Sequence, residues 1–285
     1  MKKDLNFAGL DKEFADWANS KISVLPVPYD ITSTWVKGAD KGPLAILEAS
    51  SAVELYDIET DFEVYRQGIY TCPFLKTSKE PEKMAEEVRE EASKLIEAGK
   101  FVVLLGGEHS VSVGSIKAHS LKFGDFSVLQ LDAHSDLRDE YEGSRFNHAC
   151  VMSRVKEACS TVQVGIRSMC LEEKDKIDRE RTFFAKDIAG SEDWIEKAIE
   201  KLSRNVYVTI DLDVFDPSIM PSTGTPEPGG LTWYPVMRLL RSLSEKRNVA
   251  GFDVVELCPN EANKAPDFLA AKLVYTFLSY IFKGK

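Results

Sequence analysis

FSVLQLDAHSD, residues 126–136, is an apolar run that ends with Asp132, His134 and Asp136 at every second position. Positions i, i+2 and i+4 share one face of an extended segment. Two carboxylates and an imidazole therefore line one side of the chain where a buried strand ends. Without partners they would be costly there, and a cation would offset that cost.

Similar runs recur along the chain. ISVLPV (22–27), FVVLLG (101–106), FSVLQLD (126–132), TVQVGI (161–166), NVYVTIDLD (205–213) and VAGFDVVEL (249–257) read as strands. They are rich in valine and continuous rather than alternating, as strands covered on both faces tend to be. PEKMAEEVREEASKLIEAGK (81–100), with Gly99 as its stop, and SEDWIEKAIEKLS (191–203), opened by a Ser-x-x-Trp cap, read as amphipathic helices. FLAAKLVYTFLSYIF (268–282) reads as a C-terminal helix packed on the core. This βαβα rhythm predicts an α/β fold with a mostly parallel sheet and helices on both faces. No repeat, low-complexity segment or long linker divides it, so residues 1–285 are expected to form a single domain.

A parallel sheet works at the carboxyl ends of its strands. Four of the expected strands end in polar chemistry: Glu108-His109, Asp132 to Asp136, Asp211 with Asp213, and Glu256. These ends converge only if the sheet is parallel, so fold and site support each other.

The formal net charge of −10 comes with acids and bases interspersed and no basic stripe, which argues against nucleic acid. A cationic small substrate fits the sign better. Five scattered cysteines without a CxxC pair read as free thiols in a reducing compartment. MKKDLNFAGLDKEFADW at the N-terminus lacks the apolar stretch of a secretory signal. The run at 268–282 contains Lys272 and is too short to span a bilayer. A cytoplasmic protein with no membrane partner is expected.

The candidate metal ligands are His109, Asp132, His134, Asp136, Asp211 and Asp213. Imidazole and carboxylate without thiolate suit Mn²⁺, with Fe, Co or Zn as alternatives. Six residues exceed what one tetrahedral ion needs. Two ions about 3.5–4 Å apart, sharing carboxylates and activating a bridging water, would use them all. Each feature alone is weaker: a histidine after Gly-Gly is often a turn or core residue, and Asp-x-Asp is often a turn or cap. Asp216, before Pro217, is expected to turn the chain, and His119 to be an ordinary helix histidine. Three separate strand ends carrying the same chemistry make the case for metal.

GGEHS (106–110), DAHSD (132–136) and DLDVFDPSIMPSTGTPEPGG (211–230) together resemble the ureohydrolase family of arginase and agmatinase. VPYDITSTWVKGADKGPLAILEAS (27–50) and GFDVVELCP (251–259) extend the likeness over nearly the whole chain, and DLRDEYEGSRFNHA (136–149) is most similar to agmatinases. The resemblance implies a three-layer α/β/α domain and two manganese ions per chain. One ion would take His109, Asp132, Asp136 and Asp211; the other Asp132, His134, Asp211 and Asp213. It also implies a homo-oligomer, often a trimer or hexamer. Glu108 stands where arginases usually have Asp, His148 lies outside the arginase-type His-Gly context, and Leu47 replaces an arginine of many relatives.

The implied chemistry is physically coherent. A guanidinium is planar, a poor electrophile, and with a pKa above ~12 arrives charged. Two cations lower the pKa of a shared water from about 15.7 toward neutrality, so a metal-bridging hydroxide could attack the guanidinium carbon. Glu256 is expected to hold the guanidinium through charge-assisted hydrogen bonds. Asp136 is expected to pass on a proton, and His148 to carry it to the leaving amine or to solvent. Thr225 matches a family position near the guanidinium. The loop before His148 carries Asp139, Glu140 and Glu142, anions that suit a distal ammonium; Glu142 is therefore taken as substrate-binding. Hydrolysis of agmatine to putrescine and urea is the expected reaction. Arg138 and Arg145 in the same loop could instead receive a carboxylate, so 4-guanidinobutyrate, arginine and aminopropylagmatine stay as alternatives. A silent relative that binds polyamine or metal is opposed by the intact ligand motifs. A metal-dependent deacetylase would need fewer ligands.

Overall fold

The computed structural model describes residues 5–284. Among the described residues eight strands form one sheet: β1 (Ile22–Val27), β2 (Ile69–Thr71), β3 (Phe101–Gly106), β4 (Phe126–Leu131), β5 (Ser160–Ile166), β6 (Thr182–Phe184), β7 (Asn205–Asp211) and β8 (Asn248–Val255). Their order is β2-β1-β3-β8-β7-β4-β5-β6, and every pairing is parallel. All six expected strands are present, with ends moved by no more than a few residues. The edge strands β2 and β6 escaped the reading because three residues, IYT or TFF, are too few to show a period.

Helices cover both faces, giving three layers. On one face Val103, Leu129, Ile210 and Phe252 pack in a single apolar cluster with Ile46, Leu47, Ile195, Leu239 and Phe277. Those partners come from helices Gly42–Ser50, Trp194–Glu200, Trp233–Lys246 and Ala265–Phe282. Leu47, where an arginine was the family habit, is fully buried in this cluster. On the other face Val102, Leu104, Val128 and Tyr207 meet helices Pro81–Glu97, Ser112–Lys122 and Val151–Lys156.

Local sequence sets the helix ends. Pro81–Glu97 stops before Gly99, which takes the left-handed φ of 77° expected of a residue just past a helix. The C-terminal helix starts at Ala265, three residues before the expected 268, because Pro266 fits its first turn, where an N–H would have no helical acceptor. Ser191 does not cap its helix; its Oγ accepts the Asp193 N–H at 3.3 Å, a local turn ahead of a helix that begins at Trp194. His119 is a core histidine, fully buried with its ring 4.8 Å from that of Tyr207; any Cβ at residue 251 would collide with it, so Gly251 makes its space. Asp216 does turn the chain, accepting from the Ser218, Gly229 and Gly230 N–H groups. All five cysteines are free. Among the described residues no helix is long and apolar enough to cross a membrane.

Candidate metal centre

The four strands expected to end in polar chemistry, β3, β8, β7 and β4, are consecutive in the sheet. Their carboxyl ends therefore meet at one place. After β3 the chain turns through Gly107, whose missing side chain lets the Tyr29 carbonyl approach; the Glu108 N–H donates to that carbonyl at 2.8 Å. The turn delivers His109, 1% exposed, into the centre. Its Nδ1 lies 3.0 Å from Asp136 Oδ2, 3.1 Å from Asp132 Oδ2 and 3.5 Å from Asp211 Oδ2. None of the three is aligned for a hydrogen bond, so this buried nitrogen has no hydrogen-bond partner. Nε2 faces Thr209 Oγ1 at 2.9 Å.

The second histidine belongs to a neighbouring group. His134 Nδ1 is 2.9 Å from Asp213 Oδ2 and 3.6 Å from Asp132 Oδ1. Asp213 Oδ1 accepts the Ala133 N–H, and Asp211 Oδ1 accepts the Asp213 N–H, each at 2.9 Å. Two sets of atoms are thus close enough to hold an ion each: His109, Asp132 and Asp211, and Asp132, His134 and Asp213. They share Asp132. Asp136 reaches the first set by a route the alternation did not suggest. β4 ends at Leu131, and Asp136 has a φ of 52°, so the segment is not extended through 136. The left-handed turn brings the Asp136 carboxylate to His109.

Packing these acids together distorts their proton affinities. Burial, then the charge of Asp132, raises the Asp136 carboxyl to about 7. Burial, then Asp213 and Asp132, holds Asp211 well above its ordinary value. Burial alone would lower the pKa of His134, but Asp213 and Asp132 outweigh it and raise it to about 12. Burial would likewise raise Asp132, yet both histidines hold it low. An orphaned imidazole nitrogen, crowded acids and an all-N/O donor set fit two divalent cations.

Without metal, Asp136 and His134 retain protons in the folded chain that the unfolded chain has released, so their contribution to stability falls as pH rises. Asp136 acts between its ordinary 3.8 and about 7, and His134 from 6.5 to about 12. Asp132 has the opposite sign but acts only below its ordinary 3.8; His119 and His148 also have it, up to 6.5, but chiefly through burial, which is the same with and without the ions. Bound cations would replace the protons. The gap in Tm between Mn²⁺-loaded and EDTA-treated protein should therefore widen from pH 5 to pH 8. A constant gap would count against a cation site here.

Beside the acids opens a cavity of about 280 Å³. Glu256 lies against it with a φ of 66°, its N–H bonded to Gly107 O at 2.8 Å and its Oε1 accepting the His109 N–H at 2.7 Å. Burial, then Glu108, raises its pKa well above the usual carboxylate range. Among the described residues it has no Arg or Lys partner. His148 and Thr225 also line the cavity. Burial, then the His134 charge, lowers His148 to about 4.

Glu142 is not brought in. It is exposed on the turn between Tyr141 and Ser144 and does not line the cavity. Asp139 pairs outward with Lys176 at 2.8 Å, and Arg145 with Glu157 at 3.0 Å. The acidic loop thus does not supply the anionic wall assigned to it. Arg138 does line the cavity, stacked 4.2 Å from the Tyr141 ring centre.

Several supporting residues were missed. Glu108, fully buried, accepts from the Thr32 N–H, the Ser33 N–H and the Thr32 hydroxyl at 2.6–2.7 Å. The Thr32 hydroxyl oxygen in turn accepts the His148 N–H at 2.9 Å. Arg167 binds the Asp213 and Glu227 carbonyls at 2.6 and 2.9 Å, holding the 211–230 loop. An acid inside GGEHS and an arginine directly after β5 were visible signals; their partners, distant in sequence, were not.

A family model described as the arginase family matches residues 20–279. The N(1)-aminopropylagmatine ureohydrolase of Synechocystis sp. is 41% identical over 276 residues, covering 93% of this chain and 90% of its own. The agmatinase of Pyrococcus horikoshii is 34% identical over 286 residues, covering 95% and 94%. The crystal structure of agmatine ureohydrolase of Thermoplasma volcanium superimposes with a TM-score of 0.87 at 33% identity, over 99% of this chain and 95% of that one.

Proposed function

Since the chain belongs to the arginase family and is a ureohydrolase of guanidino compounds, we propose that it releases urea from agmatine-type amines, with N(1)-aminopropylagmatine as its best substrate, at a pair of manganese ions. The observation that carries the reaction is the buried His109 Nδ1, hemmed by three carboxylates and bonded to none, next to Glu256.

His109, Asp132, Asp136 and Asp211 would hold one ion, and Asp132, His134, Asp211 and Asp213 the other. When bound, the two cations supply an activated water at neutral pH. The chain's own residues do the rest. The Glu256 Oε1 is engaged by His109 N–H, and Oε2 is left for the guanidinium, which it would hold by a charge-assisted bond. Asp136 would take the proton of the attacking water. His148, its pKa lowered to about 4 by burial and then the His134 charge, would hold that proton only in passing and hand it to the departing nitrogen. Thr225 would steady the loop against the substrate.

His148→Ala should therefore lower kcat by about 10²–10⁴-fold while metal content stays at two ions per chain. A large metal loss would make His148 a ligand instead of a proton carrier.

The tail assignment has separate support. Agmatine itself was favoured by the acids at 139–142, which lie away from the cavity. Trp35, 76% exposed, offers an aromatic face at its rim, suited to an ammonium group. The Synechocystis relative's name points to the aminopropyl-extended amine. A guanidino acid is the second reading, favoured by Arg138, which meets no carboxylate among the described residues. Urea release from aminopropylagmatine, agmatine, 4-guanidinobutyrate and arginine by Mn²⁺-loaded protein decides. The expected order of kcat/KM places aminopropylagmatine first and agmatine second; a guanidino acid in first place would overturn the tail assignment.

A further inference from the structure

One row below the candidate ligands, four adjacent strands set polar side chains side by side. Asp253 of β8 is in register with Thr209 of β7, Thr209 with Gln130 of β4, and Gln130 with Gln163 of β5. None is more than 1% exposed. Such a row inside a core is costly unless its members bond to something. The corresponding places on the other face of the sheet are apolar.

The bonds run toward two of the candidate ligands. Asp253 Oδ1 accepts the Thr209 hydroxyl at 2.7 Å, and Oδ2 accepts the Tyr207 hydroxyl at 2.9 Å. The Thr209 proton goes to Asp253 Oδ1 in preference to Ser112 Oγ, which is 3.4 Å away, and the Thr209 oxygen is then left to accept from His109 Nε2 at 2.9 Å. The network thus assigns the proton of neutral His109 to Nε2 and leaves Nδ1 free. Nδ1 is the atom that lies among the carboxylates. From the other side, the Gln163 amide donates to Gln130 Oε1 at 2.6 Å and to the Ser135 carbonyl at 2.9 Å. That fixes which way the Gln130 amide points, and its Nε2 donates to Asp132 Oδ2 at 2.7 Å.

We propose that this row is an orienting layer for the metal centre: Asp253, through Thr209, holds His109 with Nδ1 ready to ligate, and Gln163, through Gln130, aims the shared carboxylate of Asp132. These are positioning residues; none lines the cavity. The proposal rests on the two-ion reading and is independent of the substrate tail.

Manganese titration of the full chain by calorimetry, beside urea release, tests it. Thr209→Val keeps the shape and removes the hydroxyl. It should weaken one of the two ions by about 10–100-fold, leave the other unchanged, and recover most of kcat at high Mn²⁺ with KM unaltered. Thr209→Ser, which retains the hydroxyl, should bind both ions like the parent. Gln130→Met should weaken both ions, because Asp132 is shared. If Thr209→Val does not fold, Gln130→Met decides by the same measurement. Variants that bind two ions as tightly as the parent, or a Thr209→Ser that behaves like Thr209→Val, would overturn the layer. A parent that takes up no manganese would overturn the two-ion reading and the layer with it; a parent that binds two ions but prefers another guanidine leaves the layer standing.

Discussion

Asp211→Ala should release urea at least about 10³-fold more slowly than the parent, even in saturating Mn²⁺. The magnitude follows from several kcal/mol of charge stabilisation supplied by a paired-cation site, at about 1.4 kcal/mol per tenfold in rate. Asp211 stands between the two groups of donors. Its Oδ2 is 3.5 Å from His109 Nδ1, and its Oδ1 accepts the Asp213 N–H, which orients a residue of the other group. Alanine removes a carboxylate expected to bridge and releases Asp213 as well. The loss should therefore appear in metal content, with fewer than two ions retained per chain, and not only in rate. Steady-state urea assays paired with metal analysis check this. Near-normal turnover from a variant holding two ions would remove Asp211 from the centre. The fold itself should survive, since alanine ends β7 without disturbing Val206, Val208 or Ile210 in the apolar layer.

Glu256→Gln should leave both ions in place and lower kcat/KM by roughly 10²–10⁴-fold. Removing one charge of a buried ion pair costs about 3–5 kcal/mol, and each 1.4 kcal/mol or so is a factor of ten. Glutamine can still accept the His109 N–H through its Oε1, so the backbone geometry is kept and only the anion is lost. The backbone supports a functional role. A non-glycine residue at a φ of 66° costs on the order of 1–3 kcal/mol and persists only where neighbours enforce it. Here the Gly107 carbonyl and the His109 N–H do so. Unchanged kcat/KM in Glu256→Gln would mean that the guanidinium is held elsewhere. Loss of metal would mean that Glu256 belongs to the coordination set.

The sequence made some of this legible for a definite reason. Continuous valine-rich runs fix parallel strands, and parallel strands send their carboxyl ends the same way. Acids at 132, 211 and 256 and the histidine at 109 could thus be assigned to one place before any coordinates. What stayed hidden depended on direction and not on composition. Asp136 reaches His109 through a left-handed turn that no periodicity announces. Asp139, Glu140 and Glu142 looked like a substrate wall, yet Asp139 pairs with Lys176 and Glu142 sits exposed on a turn. Loop acids carry charge in the sequence but not orientation. Glu108 read as a departure within a motif, and only the fold shows that it ties Thr32 and Ser33 to the wall that carries His148.

The strand order has a consequence for synthesis. β8, the last strand to be made, inserts between β3 and β7 and joins β2-β1-β3 to β7-β4-β5-β6. A nascent chain that stops before Asn248 has two half-sheets and no strand to unite them. His109 is then on one half, and Asp132 and Asp211 on the other. The site made by Asp132, His134 and Asp213 lies on one half alone, so uptake of the other ion, the one that needs His109, would report the moment at which the C-terminal segment leaves the ribosome and threads into the gap.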